Sequence, residues 1–254
     1  REYDGPELWG DDDDLLLEPQ DPTIVADQIR QSGYMKAVMR LLEWIGPKGK
    51  GTTPDGYLRP AAAREAVAAL QLDEWMVSAL DSSLGTWDSA ADHLGLDRLY
   101  TPAIVAGLLE VRGNRVLPKE PGPESDDDWS LAGIVALCGL SSVGEDPVGL
   151  QLLMGVLVGL TFGDMHTVED IYTEWSGSDA DSMPHELPAG FDDEAEFEAL
   201  IDEATREDVD WMLAYWADTG IWRRLDDQLT ITELGMELLR VLDRALTYED
   251  DDLE

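Results

Sequence analysis

Residues 104–120 read IVAGLLEVRGNRVLPKE, and residues 213–235 read LAYWADTGIWRRLDDQLTITELG. Both stretches run in the same order. A helical end meets a glycine, Gly107 or Gly220; a short apolar run follows, then a tight turn, then a second short run. Gly113-Asn114 makes the first pair of runs a hairpin, because glycine and asparagine tolerate the positive φ that a two-residue loop requires. Asp226-Asp227 sits near the turn of the second. A third stretch, MRLLEWIGPKGKGTTPDGYLRPAAAREAV from residue 39, has the same order, with a weaker hairpin and then a helix. Its turn signal is Asp55-Gly56.

Outside these stretches the chain reads as helix. Val38, Leu41, Leu42 and Ile45 recur at helical spacing within residues 34–45. Pro60 suits the first turn of a helix running to Leu70. Further helices are expected from near Thr23 and over 73–84, 94–106, 129–140, 147–162, 194–205, 208–218 and 233–246. Gly155, Gly159 and Gly163 are spaced by four, which places them on one helix face and predicts tight packing of that face in the core. Residues 118–128, PKEPGPESDDD, join three prolines to three consecutive aspartates and read as a linker. The expected fold class is mainly α with short antiparallel β-hairpins. The expected organisation is an acidic tail over 1–22, a domain over 23–117, the linker 118–128, a second helical domain over 129–246, and an acidic tail over 247–254 that frays.

A helix, a glycine and two closing strands form the end of a winged-helix domain, so the chain resembles two tandem winged-helix-like domains. The pattern WIG…TTPDGYLRPAAAREAV, with the later ADTGIWRR…LTITELG, also resembles actinobacterial uncharacterised proteins that carry repeated Leu-Thr-x-Thr-Gly segments before a helix. The matching segments are Thr53-Pro54-Asp55-Gly56 and Leu229-Thr230-Ile231-Thr232-Glu233-Leu234-Gly235, the first with Asp55 where the pattern has threonine. The resemblance covers about half of the chain and implies the fold alone, since that family has no assigned activity to carry over.

Charge limits function more than any motif does. The chain has 55 acidic residues against 17 Lys and Arg, a formal net charge of -38 in 254 residues. Hydrophobic residues at 44% and nine Trp show that this charge sits on a chain able to bury a core. Such a surface repels phosphate backbones and disfavours direct nucleic-acid binding. Helices 60–70 and 96–106, in the recognition position of a winged helix, carry only Arg64 and Arg98 as basic residues. The remaining basic patches, Lys48/Lys50, Arg112/Arg115 and Arg223/Arg224, are small and have many carboxylates to pair with.

The expected partner is therefore a basic protein, steered in by charge. The candidate contact residues are Trp9 as an aromatic anchor, Asp11, Asp12, Asp13 and Asp14, and Asp192, Asp193, Glu194, Glu196 and Glu198. A second reading is a nucleic-acid mimic, with carboxylates over 192–198 and 202–210 imitating a phosphate array. A third is ordinary halophilic or high-GC surface acidity around another function; few Lys with many Asp and Glu fits the first origin, and few Lys with many Arg and Ala fits the second.

Signals for chemistry are missing. His93, His166 and His185 form no zinc spacing, and His166 with Glu169 and Asp170 reads as a polar cluster at a helix start. Asp179-Ala180-Asp181 begins like a calcium loop, but Pro184 and Gly190 stand where that loop needs Gly and Glu. No nucleophile elbow, P-loop or dinucleotide fingerprint occurs. The chain is expected to be non-enzymatic, without cofactor or metal. Cys138, the single cysteine, reads as a small buried hydrophobe suited to a reducing cytoplasm. Its acidic first residues do not read as a signal peptide, and the apolar stretch 148–162 is too short to span a bilayer.

Overall fold

The computed structural model describes residues 17–72, 93–141, 147–163, 165–178 and 194–251. It is mainly helical, with two small antiparallel sheets. In the first half the order is α1 (Pro22–Gln31), α2 (Gly33–Ile45), β1 (Lys50–Gly51), α3 (Pro60–Leu70), α4 (Leu94–Val105), β2 (Leu109–Arg112) and β3 (Arg115–Pro118). In the second it is α5 (Asp126–Ser141), α6 (Pro147–Phe162), α7 (Val168–Ser178), α8 (Glu194–Thr219), β4 (Trp222–Leu225), β5 (Gln228–Ile231) and α9 (Glu233–Asp251). The helix expected over 73–84 lies outside the described residues.

Both expected hairpins form. β2 and β3 pair with Val111 opposite Val116 and Arg112 opposite Arg115. β4 and β5 pair with Trp222 opposite Ile231 and Leu225 opposite Gln228. Gly107 and Gly220 hold the same place before each hairpin, with φ of 68° and 89°. A residue bearing a Cβ is strained there, so glycine lets the chain leave the helix and turn directly into the strand. The weaker third hairpin is a tight turn closed by the bridge Thr52–Leu58, in which Gly56 N donates to Thr53 O at 3.1 Å. The strand before that turn, β1, pairs elsewhere than the hairpin order suggests. It adds to β3, with Lys50 opposite Val116, and gives a three-stranded sheet in the order β1-β3-β2.

Four expectations shift. α5 starts at Asp126, inside the stretch read as linker. Asp128 Oδ2 accepts from Ser125 N at 3.0 Å, while Ser125 Oγ accepts from Asp128 N at 3.1 Å, a reciprocal cap on the helix start. Three carboxylates in that first turn also suit the positive end of the helix dipole. α8 is one helix over the region read as two, because glutamate- and alanine-rich sequence has good helix propensity even when acidic all round. α9 extends to Asp251, into the stretch read as the acidic tail, with no glycine or proline to interrupt it. The glycine face of α6 is not uniformly packed. A Cβ at Gly155 would meet nothing within 4 Å, one at Gly159 would lie 2.6 Å from Met165 Sδ, and Gly163 has a φ of 83° past the end of α6.

The buried apolar side chains form one contiguous cluster running from Val25 to Leu242. α1 is its centre. Gly133 of α5 lies so close to α1 that a Cβ there would fall 2.2 Å from Ile29 Cδ1. On its other side, Gln28 of α1 accepts from Leu234 N of α9 at 2.8 Å and donates to Glu233. Trp222 is 1% exposed and donates its indole N–H to Leu213 O at 3.0 Å, which fixes β4 against α8. Burying a Trp with its one polar atom satisfied avoids the cost of an orphaned donor.

Candidate functional site

Trp9, Asp11, Asp12, Asp13, Asp14, Asp192 and Asp193 lie outside the described residues. Glu194, Glu196 and Glu198 belong to the start of α8, with side chains outside the described ones. What the structure does show is where the opposing charges go. Arg115 Nη2 donates to Lys48 O at 2.6 Å and Gly49 O at 2.9 Å, joining β3 to the turn before β1. Arg112 pairs with Glu110 at 2.6 Å. Lys50 Nζ lies 4.1 Å from the Trp44 ring centroid and 3.8 Å from Glu65. Arg224 pairs with Asp210, and Arg206 pairs with Glu169 at 2.9 Å while resting 3.7 Å over the Tyr172 ring. All three basic patches of the sequence thus have members bound within the protein. Among the described residues, no Asp or Glu is buried as a whole residue.

The candidate recognition helix α4 is turned inward at its one arginine. Arg98 lies over Tyr215 and Trp211 of α8, with its Cζ 5.1 and 5.4 Å from their ring centroids. The stacked pair Trp211 and Tyr215 forms the floor of this contact, their centroids 5.4 Å apart. Here α2, α4 and α8 meet in a polar seam. Tyr34 Oη donates to Arg98 O at 3.2 Å. Arg98 Nη1, Tyr215 Oη and Asp218 Oδ2 are buried with no hydrogen-bond partner among the described residues. Burial raises the Asp218 carboxyl above the ordinary range, against the pull of Lys36. Burial likewise raises the Tyr34 and Tyr215 phenols, which stay protonated.

A groove between α1, α2 and α5 departs from the overall charge. It holds about 280 Å³ and is lined by Arg30, Met35, Lys36, Met39, Arg40, Glu43 and Trp129. Arg30 lies 5.5 Å from the Trp129 ring centroid and is held by Asp27 at 3.1 Å and Asp126 at 2.6 Å. Lys36 Nζ donates to Gln31 O at 2.6 Å. No sequence motif marks this groove, because its members come from three helices and Trp129 is far from the others in the chain. The i,i+4 pair Lys36 and Arg40 was the only local signal.

The residues considered for chemistry have structural roles. His93 Nδ1 accepts from Leu96 N at 3.1 Å and caps α4. Asp170 accepts from His166 N at 2.9 Å and Thr167 N at 2.8 Å, so the polar cluster at the start of α7 is a helix cap, as expected. These bonds hold the Asp170 carboxyl below its usual range. Burial pushes the Cys138 thiol up to about 11, which removes the thiolate that reactivity needs. His185 and residues 179–181 lie outside the described residues. Among the described residues, no group of three or more His, Cys, Asp or Glu side chains could hold a metal ion, and no helix is long and apolar enough to cross a membrane.

Compared with protein-family models, curated proteins and solved structures, the chain matches none.

Proposed function

We propose that this chain is a non-enzymatic, acidic interaction protein that docks a basic partner in a reducing, cytoplasmic compartment. The observation that carries this reading is the disposition of charge. The chain has 55 acidic residues, and its basic side chains Arg112, Arg224, Lys50, Arg115 and Arg98 are engaged within the chain by Glu110, Asp210, Glu65, backbone carbonyls and the Trp211–Tyr215 stack. A cationic protein is drawn to such a surface, and a phosphate backbone is repelled by it.

The scaffold reads as tandem winged-helix-like units. The order α2-β1-α3-α4-β2-β3 with β1 on β3 supports the first, and α8 followed by the β4–β5 hairpin supports the second. In this reading the fold has given up groove reading. Arg98 in the recognition position spends its charge on aromatic rings of α8.

The test is capture of proteins from source-cell lysate on the immobilised full chain at low and high salt. It is run beside a variant in which Asp11–Asp14, Asp192, Asp193, Glu194, Glu196 and Glu198 carry the corresponding amides. The proposal expects one basic protein held by the wild type, lost from the variant and retained when DNA is added. Release by DNA would favour the nucleic-acid mimic. Identical captures on wild type and variant would overturn the docking role of these residues.

A further inference from the structure

We propose that the groove of Arg30, Lys36 and Arg40 is the seat of the chain's own N-terminal acidic segment, with Trp9 against Trp129 and the methionines and Asp11–Asp14 facing the cations. The groove gathers three of the chain's 17 basic residues beside a Trp and two Met, with Glu43 as its one lining carboxylate. Arg30 is already shared by Asp27 and Asp126. Lys36 donates to a backbone carbonyl and has the partly buried Asp218 carboxyl near it, and Arg40, exposed on α2, makes no ion pair among the described residues. The fitting ligand is an apolar or aromatic group next to several carboxylates. Residues 7–14, ELWGDDDD, have that composition.

Charge decides between an occupant in trans and one in cis. A free acidic ligand must approach through the field of a protein of net charge -38, and is repelled. A tethered segment has already paid that approach and acts at an effective concentration of roughly millimolar. The reach is sufficient. Leu17 packs on the core, and the eight residues from it back to Trp9 extend to about 28 Å. α1 carries the chain about 12 Å along its axis from Pro22 to Arg30. Held in the groove, the four aspartates are withheld from a basic partner; that consequence alone rests on the docking reading.

The contact is tested without any partner, by zero-length carbodiimide coupling of the purified full chain and peptide mapping by mass spectrometry. The reagent joins carboxylates to amines, and the chain has four lysines, Lys36, Lys48, Lys50 and Lys119, of which Lys36 alone lines the groove. The expected result is coupling of Lys36 to Asp11–Asp14 at several times the yield of the other three lysines. It should fall several-fold in Arg40→Glu and in Trp9→Ala, and in wild type at about 1 M salt, where screening is nearly complete. In a mixture of isotopically light and heavy chains the links should stay within one isotope. Coupling of Lys36 only to Glu43 or Asp218, equal yields at all four lysines, or mixed-isotope links would overturn the proposal.

Discussion

Gly235→Ala is expected to destabilise the protein, against the helix preference of the residue introduced. Gly235 lies in the first turn of α9, in the LTITELG segment. Thr232 caps that helix: its Oγ1 accepts from Gly235 N at 3.1 Å and lies 2.7 Å from Gly220 O, and its amide donates to Ile221 O at 3.1 Å. These bonds bring α9 onto the backbone at the start of β4. A Cβ at Gly235 would lie 2.1 Å from Ile221 O and 2.9 Å from Ile231 Cγ1. Carbon and oxygen need about 3.3 Å, so α9 must move by about 1 Å. The obstacle is a backbone carbonyl, so no rotamer change relieves it. Overpacking of this kind costs about 1–3 kcal/mol, and alanine's advantage in a helix returns only about 1 kcal/mol. Gly155→Ala in α6 is the control, since a Cβ there meets nothing within 4 Å and the substitution should stabilise. The helix term is common to both, so the two variants should differ by the overpacking cost alone, about 1–3 kcal/mol, or roughly 2–12 °C in Tm for a chain of this size. Thermal and denaturant unfolding followed by circular dichroism read both. Gly235→Ala matching or exceeding the stability of Gly155→Ala would refute the close approach of α9 to β4.

Three further outcomes follow from the packing and the titrating groups. Gly133→Ala should cost about 1–3 kcal/mol by forcing α5 off Ile29, and adding Ile29→Val, which removes the nearest atom, should recover part of the loss in the same unfolding assay. Burial alone would raise the Glu237 carboxyl, but Arg240 and the Gln20 amide outweigh it and hold it below the ordinary 4.5, so its contribution is present above that pH and lost as pH falls. Glu237→Gln should therefore cost roughly 1 kcal/mol at pH 7, with the gap to wild type closing in acid. Asp218 has the opposite sign: its pKa is raised above 3.8 by burial, so the ionised form weakens the fold at neutral pH and the penalty lifts as pH falls. Asp218→Asn should stabilise at pH 7 and lose that advantage in acid, as read by denaturation at a series of pH values.

The parts of the fold that local chemistry dictates were legible. Gly113-Asn114 and Asp226-Asp227 mark turns whatever surrounds them, and both hairpins form at those residues. The pairing of β1 with β3 was invisible because two residues carry no alternation and the partner strand lies about 65 residues further on. The start of α5 had a signal, Ser125 three residues before Asp128, that the aspartate run and neighbouring prolines obscured. The face of Gly155, Gly159 and Gly163 shows the reverse error: spacing puts residues on one face but does not supply a neighbour, and only Gly159 has one pressed against it. The inward turn of Arg98 and the Arg30–Trp129 groove depend on which helices meet, which no local pattern encodes.

Unfolding free energy as a function of salt tests most directly whether the carboxylate excess serves a partner or serves solvation. Self-repulsion at a net charge of -38 weakens the fold where screening is poor, and the Debye length falls to about 10 Å at 0.1 M salt. The docking account predicts a cooperative fold already present at roughly 0.1 M salt, with stability rising modestly and levelling off within a few tenths molar. A chain that stays unfolded until molar salt is supplied would contradict it, and would make the acidic surface an adaptation to brine.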